Sequence, residues 1–321
     1  MTQHDNHLAV STVWASAQAQ EAAWLLDSLA ESGLSRLELE YRLTPGLVEG
    51  IKKELRPREL SVVSVHNFCP LPPGMPREMA SGDLFNLADL DKEARLNAVR
   101  ATMKTMELAA DLEAVAVVLH LGWVEGVGDK HTTRQAARAG GSTPELDRLL
   151  KDRASAAPRH LDAVSFALER LLERALELGV WLGLENRFHA HQIPDFSEAG
   201  FLLERFKGAP AGYWHDTGHA WVAGLAGLVP HEDWLRAYGP SLLGCHLHDA
   251  VGDEDHRPPG AGDIDWETLC PLLLPARVKV LEVAPGPEAR ELADGAEMLY
   301  KYFAQAEAQL EDSDLQDKER T

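Results

Sequence analysis

Short apolar runs recur along the whole chain, and polar or turn-forming residues separate them. Eight such runs lie at 8–13, 36–40, 60–65, 114–119, 180–184, 212–214, 242–245 and 278–281. Most are nearly continuous and not strictly alternating, which is typical of parallel strands that are covered on both faces. The pattern therefore predicts eight buried strands.

Segments with helical periodicity separate these strands. They lie at 18–32, 89–112, 158–178, 197–206, 232–238, 266–274 and 288–306, and Thr44 with Pro45 opens a further helix. Strands that alternate with helices along the whole chain predict an α/β fold, a (β/α)8 TIM barrel. An open, doubly wound sheet is the alternative. No change in composition marks a second domain, so we expect one domain over 1–310.

Two connections are unusually long, and both follow a strand. The connection at 67–89 is rich in proline, and the one at 122–157 is rich in glycine and locally basic. In a barrel, loops that follow strands lie on the face where active sites form. We therefore expect two long loops on the active face, and a flexible acidic tail at 311–321.

The composition of the chain argues against several classes of binding partner. The formal net charge is −20, which argues against a broad electrostatic grip on nucleic acid or anionic lipid. No apolar run approaches the ~20 residues that a membrane helix needs. Cys69, Cys245 and Cys270 lack metal-finger spacing and are interpreted as free thiols of a reducing compartment. We expect a cytoplasmic protein without a membrane partner.

Residues able to bind a metal stand at the predicted strand ends. They are His66, His120, Glu185, Asp216, His246 and Glu282, while His219, Glu254 and His256 lie in the loops that follow. A barrel brings its strand ends into one ring, and buried carboxylates without a cation would repel each other. Mixed carboxylate and imidazole ligands favour Zn, Mn, Co or Fe over Ca.

A structural reading competes for each single residue, because a buried His or Glu at a strand end is often only hydrogen-bonded. Successive coincidences on several strands make this reading weaker for the set. Glu38 and Glu40 are expected to pair with Arg36 or Arg42 and receive no role in the site. His248 and Asp249 are expected to lie behind the ligands and orient them.

Six short elements together resemble the xylose isomerase-like TIM barrel superfamily. They are the segments 118–122, 184–187, 215–220, 245–249, 260–264 and 281–283, which include Leu184-Glu185-Asn186-Arg187 and His215-Asp216-Thr217-Gly218-His219. The superfamily includes sugar and sugar-phosphate isomerases and epimerases, and AP endonucleases that use three zinc ions. The resemblance covers nearly the whole chain.

The resemblance implies roles for individual residues. In the isomerase and epimerase branch, Glu185, Asp216, His246 and Glu282 would hold one divalent ion. Glu185 and Glu282 would be the catalytic residues that remove and return a proton, and His66, Arg187, His219 and His256 would bind the substrate. The endonuclease branch would place further metal on His66, His120, His219 and His256, but it has Asp where Glu254 stands.

The sequence therefore predicts a divalent-metal-dependent isomerase or epimerase of a sugar, keto-polyol or sugar phosphate, acting through an enediolate. An AP endonuclease-type phosphodiesterase, a keto-sugar dehydratase and a non-catalytic sugar- or metal-binding barrel are the alternatives. The basic connection at 122–157 could steer a nucleic acid or a sugar phosphate. The ion (Mn, Zn, Co, Fe or Mg), the number of ions and association into a homo-oligomer stay open.

Overall fold

Within the described residues, 8–128 and 130–319 of this computed structural model, eight parallel strands close into a barrel. The barrel strands are β1 (Leu8–Ser11), β2 (Arg36–Leu39), β3 (Ser61–His66), β4 (Ala116–Leu119), β5 (Trp181–Glu185), β6 (Ala211–Asp216), β7 (Leu242–Leu247) and β10 (Val278–Leu281). Each strand pairs with the next barrel strand along the chain, and β10 pairs with β1 to close the ring. The predicted TIM barrel is confirmed.

Helices cover the outside of the barrel. They are α1 (Val13–Ser16), α2 (Ala22–Ala30), α3 (Pro45–Leu55), α4 (Lys92–Asp111), α5 (Thr132–Ala139), α6 (Pro144–Leu178), α7 (Phe196–Arg205), α8 (Thr217–Leu225), α9 (His231–Tyr238), α10 (Trp266–Leu273) and α11 (Ala289–Glu319). Thr44, as predicted, caps α3 by accepting a hydrogen bond from the Leu47 amide. Over the part of the chain that the structure describes, none of these helices combines the length and apolar character of a membrane span.

The connection after β4 differs from the predicted loop at 122–157. It forms α5, and α6 begins at Pro144 behind a Thr143 cap. Pro158, expected to start this helix, lies inside it. Buried side chains on both sides of Pro158, among them Leu149 and Val164, keep the helix continuous although proline removes one backbone hydrogen bond.

The C-terminal helix extends beyond its predicted end at residue 306, since α11 continues to Glu319. Residues 320–321 of the predicted tail lie outside the described residues. Between β7 and α10, the chain forms an antiparallel hairpin of β8 (Asp249–Val251) and β9 (Glu254–Arg257). We call this pair the β8–β9 hairpin. Cys69, Cys245 and Cys270 are buried free thiols, as predicted.

The barrel interior is filled by one large aromatic side chain and several small residues. Trp214 of β6 is fully buried among aliphatic side chains of five other strands. A Cβ at Gly183 or Gly244 would lie 2.7 Å or 2.4 Å from the Trp214 ring. Glycine on both neighbouring strands therefore makes room for the indole, which contacts the His246 ring at 5.2 Å between centroids. Trp214 forms the floor beneath the strand ends.

A pair of histidines outside the barrel gives a pH prediction. His215 Nε2 lies 3.2 Å from His231 Nε2, and burial lowers the pKa of His231 from 6.5 to about 4, although the charge of Asp216 opposes the shift. The unfolded chain therefore binds more protons than the native chain between about pH 6.5 and pH 4, and stability falls as the pH falls through this window.

We expect His231→Gln to reduce this acid loss of stability, by up to about 3 kcal/mol for a shift of this size. Urea unfolding of both proteins at pH 6.5, 5.5 and 4.5 measures the difference. If the free energy of unfolding fell equally with pH in the variant and the wild type, His231 would not be the titrating group.

Candidate functional site

Four predicted ligands meet at the carboxyl end of the barrel. Glu185 ends β5, Asp216 ends β6, His246 lies in β7 and Glu282 follows β10. The parallel register places Asp216 beside His246. All four side chains are buried. The barrel thus brings together residues that are separated by almost one hundred positions in the sequence.

His246 lies at the centre of this group. Its Nδ1 atom is 3.1 Å from Glu282 Oε2, 3.5 Å from Glu185 Oε1 and 3.6 Å from Asp216 Oδ2. Its Nε2 atom is 3.2 Å from Glu38 Oε2. A ligating histidine commonly donates its second ring N–H to a carboxylate, which fixes the tautomer. This arrangement leaves Nδ1 available for a metal.

Glu38 was expected to pair with an arginine, and that prediction is wrong. Its side chain is fully buried, accepts a hydrogen bond from Ser64 Oγ at 2.8 Å and faces His246. Glu40, in contrast, pairs with Arg42 at 3.0 Å as predicted. Glu38 lies on the barrel interior because side chains alternate between the two faces of a strand, and β2 directs this position inward.

Two histidines approach the other side of Glu185. His120 Nε2 is 2.9 Å and His66 Nε2 is 3.6 Å from Glu185 Oε2. The Nδ1 atom of each has a separate acceptor, the carbonyl oxygen of Asn67 for His66 and Asp83 Oδ1 for His120, both at 2.8 Å. Both Nε2 atoms therefore face Glu185 with the ring orientation fixed from behind.

Asp83 is a site residue that the sequence pattern did not predict. It lies in the connection at 67–89, accepts a hydrogen bond from Gln192 and pairs with Arg187 at 3.6 Å. Burial opposes ionisation of Asp83, but the charges of His120 and Arg187 hold its pKa well below its usual range. The carboxylate therefore stays ionised and orients His120.

The substitution Asp83→Asn removes the negative charge of the carboxylate and keeps the size and shape of the side chain. We expect the affinity of the site for a divalent ion to fall by about 10–100-fold, the usual cost of losing a partner behind a ligating histidine. Titration with Mn²⁺ measures it. Asp89→Asn is the control in the same connection, because the Asp89 carboxylate accepts a hydrogen bond from the Asp91 amide. Equal affinities for the two variants would contradict the role of Asp83.

A third group contains His219, Asp255 and His256, whose candidate ligand atoms lie within 4.8 Å of one another. His219 Nδ1 contacts the Asn186 carbonyl oxygen at 3.0 Å, and His256 Nδ1 is 3.2 Å from Asp255 Oδ2. Glu254, expected at this place from the endonuclease pattern, is exposed and pairs with Arg257. The adjacent Asp255 takes its place.

Arg187 lies between the groups. Its Nη1 atom is 2.6 Å from His120 Nε2 and 3.5 Å from Glu185 Oε1. The same residue lines a cavity of about 450 Å³ between α6, α8 and α9. Phe188, Phe196 and Trp234 supply aromatic surface to this cavity. Arg187 thus borders both the buried group and a cavity large enough for part of a small molecule.

The residues behind the site have distinct contacts. His248 Nε2 lies 3.0 Å from Asp216, in line with the expected orienting role. Asp249 was also expected to orient a ligand. Instead, it accepts hydrogen bonds from the amides of Ala250, Gly260 and Ile264 and from Trp266 Nε1. Asp249 therefore organises the loop after β7.

The electrostatics of the group favour bound positive charge. Burial opposes ionisation of Glu185, but the charge of His120 and the close approach of His219 and His246 hold its pKa well below its usual range. Burial alone would lower the pKa of His246, yet Glu282 and Glu38 raise it well above its usual range. The carboxylates that hold a proton on His246 also attract a divalent cation, which competes with that proton.

The donor set fits a divalent ion. Among the described residues, both carboxylate oxygens of Glu185, Glu38 Oε1 and His246 Nδ1 are buried without a hydrogen bond of good geometry. Buried polar atoms are rarely left in this state. Oxygen and imidazole donors together suit Zn, Mn, Co or Fe, and Glu185, Asp216 and His246 lie close enough to share one ion.

The fold and the site together define an α/β barrel with carboxylates and histidines at the carboxyl ends of its strands. A family model described as xylose isomerase-like TIM barrel matches residues 26–302. The chain belongs to this family. The resemblance predicted from the short motifs is confirmed.

The chain is similar to a probable endonuclease in sequence and to sugar epimerases in structure. Probable endonuclease 4 of Mycobacterium leprae is 26% identical over 216 residues, which cover 66% of this chain and 70% of that protein. The crystal structure of a D-tagatose 3-epimerase-like protein aligns with a TM-score of 0.67 at 18% identity, covering 95% of this chain and 99% of that one.

Two further solved structures extend the comparison. An L-ribulose 3-epimerase aligns with a TM-score of 0.66 at 18% identity, covering 95% of this chain and 96% of that one. A Thermus thermophilus protein soaked with ZnCl2 aligns with a TM-score of 0.55 at 25% identity, covering 91% of this chain and 96% of that one. The epimerases share the fold of this chain.

Proposed function

We propose that the chain is a divalent-metal-dependent isomerase or epimerase of a sugar, keto-polyol or sugar phosphate. The observation that supports it most is the buried group of Glu185, Asp216, His246 and Glu282. Two glutamates of this group lie within 3.5 Å of one histidine nitrogen. Two carboxylates at one ion site would allow one to remove a proton from a carbon next to a carbonyl and the other to return a proton to it.

The proposed mechanism assigns the ion to these four ligands. A bound divalent ion would polarise adjacent carbonyl and hydroxyl oxygens of the substrate and so acidify the C–H bond between them. The low pKa of Glu185 keeps it ionised at neutral pH, and this carboxylate removes the proton. Glu282 returns a proton that it receives from the protonated imidazole of His256, whose Nε2 lies 3.5 Å from Glu282 Oε2, and proton exchange with solvent then restores both residues. Burial among histidines limits the access of bulk water to the reacting carbon.

Substrate oxygens are assigned to His66, Arg187, His219 and His256. Arg187 contacts the reaction centre through Nη1 and borders the cavity described above. A guanidinium in this place can donate to hydroxyl or phosphate oxygens. The cavity would accept the part of the substrate remote from the reacting carbon. A small-molecule substrate is the proposed partner, and the three buried free thiols support a cytoplasmic location.

Solvent exchange tests the proposal. The protein, loaded with Mn²⁺ or Co²⁺, is incubated in D₂O with a panel of ketoses, keto-polyols and ketose phosphates, and proton NMR follows the C–H next to the carbonyl. We expect deuterium at that carbon in at least one class of compound. Absence of exchange across the panel, with metal bound, would contradict the proposal.

A metal-dependent phosphodiesterase of the AP endonuclease type is the second candidate. The three adjacent ligand groups and the Mycobacterium leprae relative favour it. The basic residues of the connection at 122–157 support a nucleic-acid substrate less strongly than their number in the sequence suggests. Arg134, Arg138 and Arg153 pair with acidic residues of the same chain. Incision of duplex DNA with an abasic site would establish this activity.

Dehydration of a keto-sugar begins with the same proton removal and stays an alternative on the same residues. It differs in the product, because a hydroxyl leaves the carbon next to the one that loses its proton. The NMR experiment separates the two, since dehydration removes a substrate carbinol signal whereas epimerisation keeps the number of carbinols constant.

A further inference from the structure

Helix α5, in the connection after β4, contacts the β8–β9 hairpin, which bears His256. Arg134 of this helix donates through Nη2 to Asp255 Oδ1 at 3.0 Å and through Nη1 to the Asp253 carbonyl oxygen. Its guanidinium also lies 4.6 Å from the centroid of the Phe188 ring. One side chain thus joins α5, the β8–β9 hairpin and the loop after β5.

Asp255 continues the contact toward the reaction centre. Its second oxygen is 3.2 Å from His256 Nδ1, and His256 Nε2 is 3.5 Å from Glu282 Oε2. Asp255 therefore uses one oxygen for Arg134 and the other for His256. The second imidazole nitrogen is directed toward the carboxylate proposed to return the proton.

The backbone of His256 needs external support. Its φ angle is +61°, in the left-handed region that side chains with a Cβ rarely adopt. Its amide donates to His248 Nδ1 at 2.8 Å, and its carbonyl oxygen accepts from the Ala284 amide at 2.9 Å. The rings of His248 and His256 stack at 4.0 Å. These contacts fix the main chain and the ring plane, whereas Asp255 fixes the imidazole Nδ1.

We propose that Arg134 is a positioning residue of the reaction centre, acting through Asp255 on His256 and Glu282. The inference rests on the proposed role of Glu282. It gives the connection after β4 a function other than attraction of an anionic ligand. Arginine suits the place because its planar fork can donate to a carbonyl and a carboxylate at once, which a lysine ammonium does less well.

The same helix supplies a matched control. Arg138, one turn further along α5, pairs with Asp253 through Nε at 2.9 Å and is more exposed than Arg134. Both arginines therefore hold the hairpin, but of the two it is Arg134 that contacts Asp255. If the arginines only anchor the hairpin, alanine at either position should have the same effect on the site. If Arg134 acts through Asp255, alanine at position 134 alone should affect the site.

The experiment compares Arg134→Ala, Arg138→Ala, Asp255→Asn and the double variant Arg134→Ala/Asp255→Asn in the full chain. Mn²⁺ affinity without substrate is the first readout, and deuterium exchange into substrate is the second. We expect Arg134→Ala to weaken Mn²⁺ binding by about 10–100-fold and Arg138→Ala to leave it unchanged. The double variant should lose no more than the worse single variant, because both act along one path.

Thermal unfolding of each variant identifies simple loss of folding. Equal Mn²⁺ affinities for Arg134→Ala and Arg138→Ala, or additive losses in the double variant, would overturn the proposal. The test stands apart from the proposed activity. If the wild type binds Mn²⁺ but exchanges no substrate proton, the proposed function fails while the affinity comparison still decides the role of Arg134.

Discussion

Glu185→Gln should reduce proton exchange at the substrate carbon by about 10²–10⁴-fold, the usual contribution of a positioned acid–base group. Glutamine keeps the size of the side chain but cannot accept a proton. Glu185 also contacts His66, His120, His219 and His246 within 3.6 Å, so its charge is shared by all three ligand groups. NMR in D₂O measures the exchange rate with metal in excess.

Glu254→Gln is the control for this variant. Glu254 occupies the position that the endonuclease pattern assigns to a ligand, but it is exposed and pairs with Arg257. We expect exchange at the wild-type rate. If Glu254→Gln were as inactive as Glu185→Gln, Glu254 would belong to the site and the place given to Asp255 would be wrong. Unchanged exchange in Glu185→Gln would remove Glu185 as the base.

Removal of the proposed divalent ion should lower the free energy of unfolding, and this is the second large effect that we expect. Glu38, Glu185, Asp216 and Glu282 are all buried at one end of the barrel, where like charges repel strongly. An ion that binds only the native state stabilises it by about 4 kcal/mol at a free concentration of about one thousand times Kd. Chelation should therefore lower the unfolding midpoint by several degrees.

Unfolding in the presence of EDTA and of excess Mn²⁺ measures the stabilisation. Asp216→Asn serves as the comparison, because it removes one ligand charge from the group and should lose most of the increment due to Mn²⁺. An unfolding midpoint that does not respond to Mn²⁺ in the wild type would mean that the buried carboxylates are balanced by protons on the histidines alone.

Much of the fold followed from local patterns. Runs of apolar residues predict strands wherever both faces are buried, and the polar residue that ends such a run marks the carboxyl end. Glu185 after Leu182-Gly-Leu184 and Asp216 after Tyr213-Trp-His215 are examples. Because a barrel gathers those ends, the convergence of the six strand-end candidates could be predicted without knowledge of any contact. The choice of four of them as ligands of one ion came from the family resemblance.

The missed residues depend on contacts between distant segments. Glu38 faces His246 across 208 positions, and its neighbours Arg36 and Arg42 offered a nearer explanation. Asp83 lies in a connection without periodicity, so no sequence signal placed it beside His120. The start of α6 was misplaced because proline is typical of a first helical turn, and Pro144 and Pro158 both offered that signal.

Asp255, and not the predicted Glu254, lies at the third ligand group for a local reason that sequence alone does not show. His256 adopts a left-handed backbone conformation within β9. This conformation is compatible with the hydrogen bond between its amide and His248 Nδ1, and it brings Asp255 beside the ring of His256. The endonuclease spacing predicts a ligand two positions before the histidine, at Glu254. In the structure, the adjacent residue Asp255 lies beside His256 instead.

Metal content tests the central claim most directly. The protein is purified without chelator, dialysed against Mn²⁺, Zn²⁺, Co²⁺ or Mg²⁺ in turn, and analysed by element. We expect at least one tightly bound divalent ion per chain, and its loss when His246→Ala and Asp216→Asn are combined. A wild-type chain that retains none of these ions would contradict the account, because Glu185, Asp216, His246 and Glu282 would then form a purely structural network.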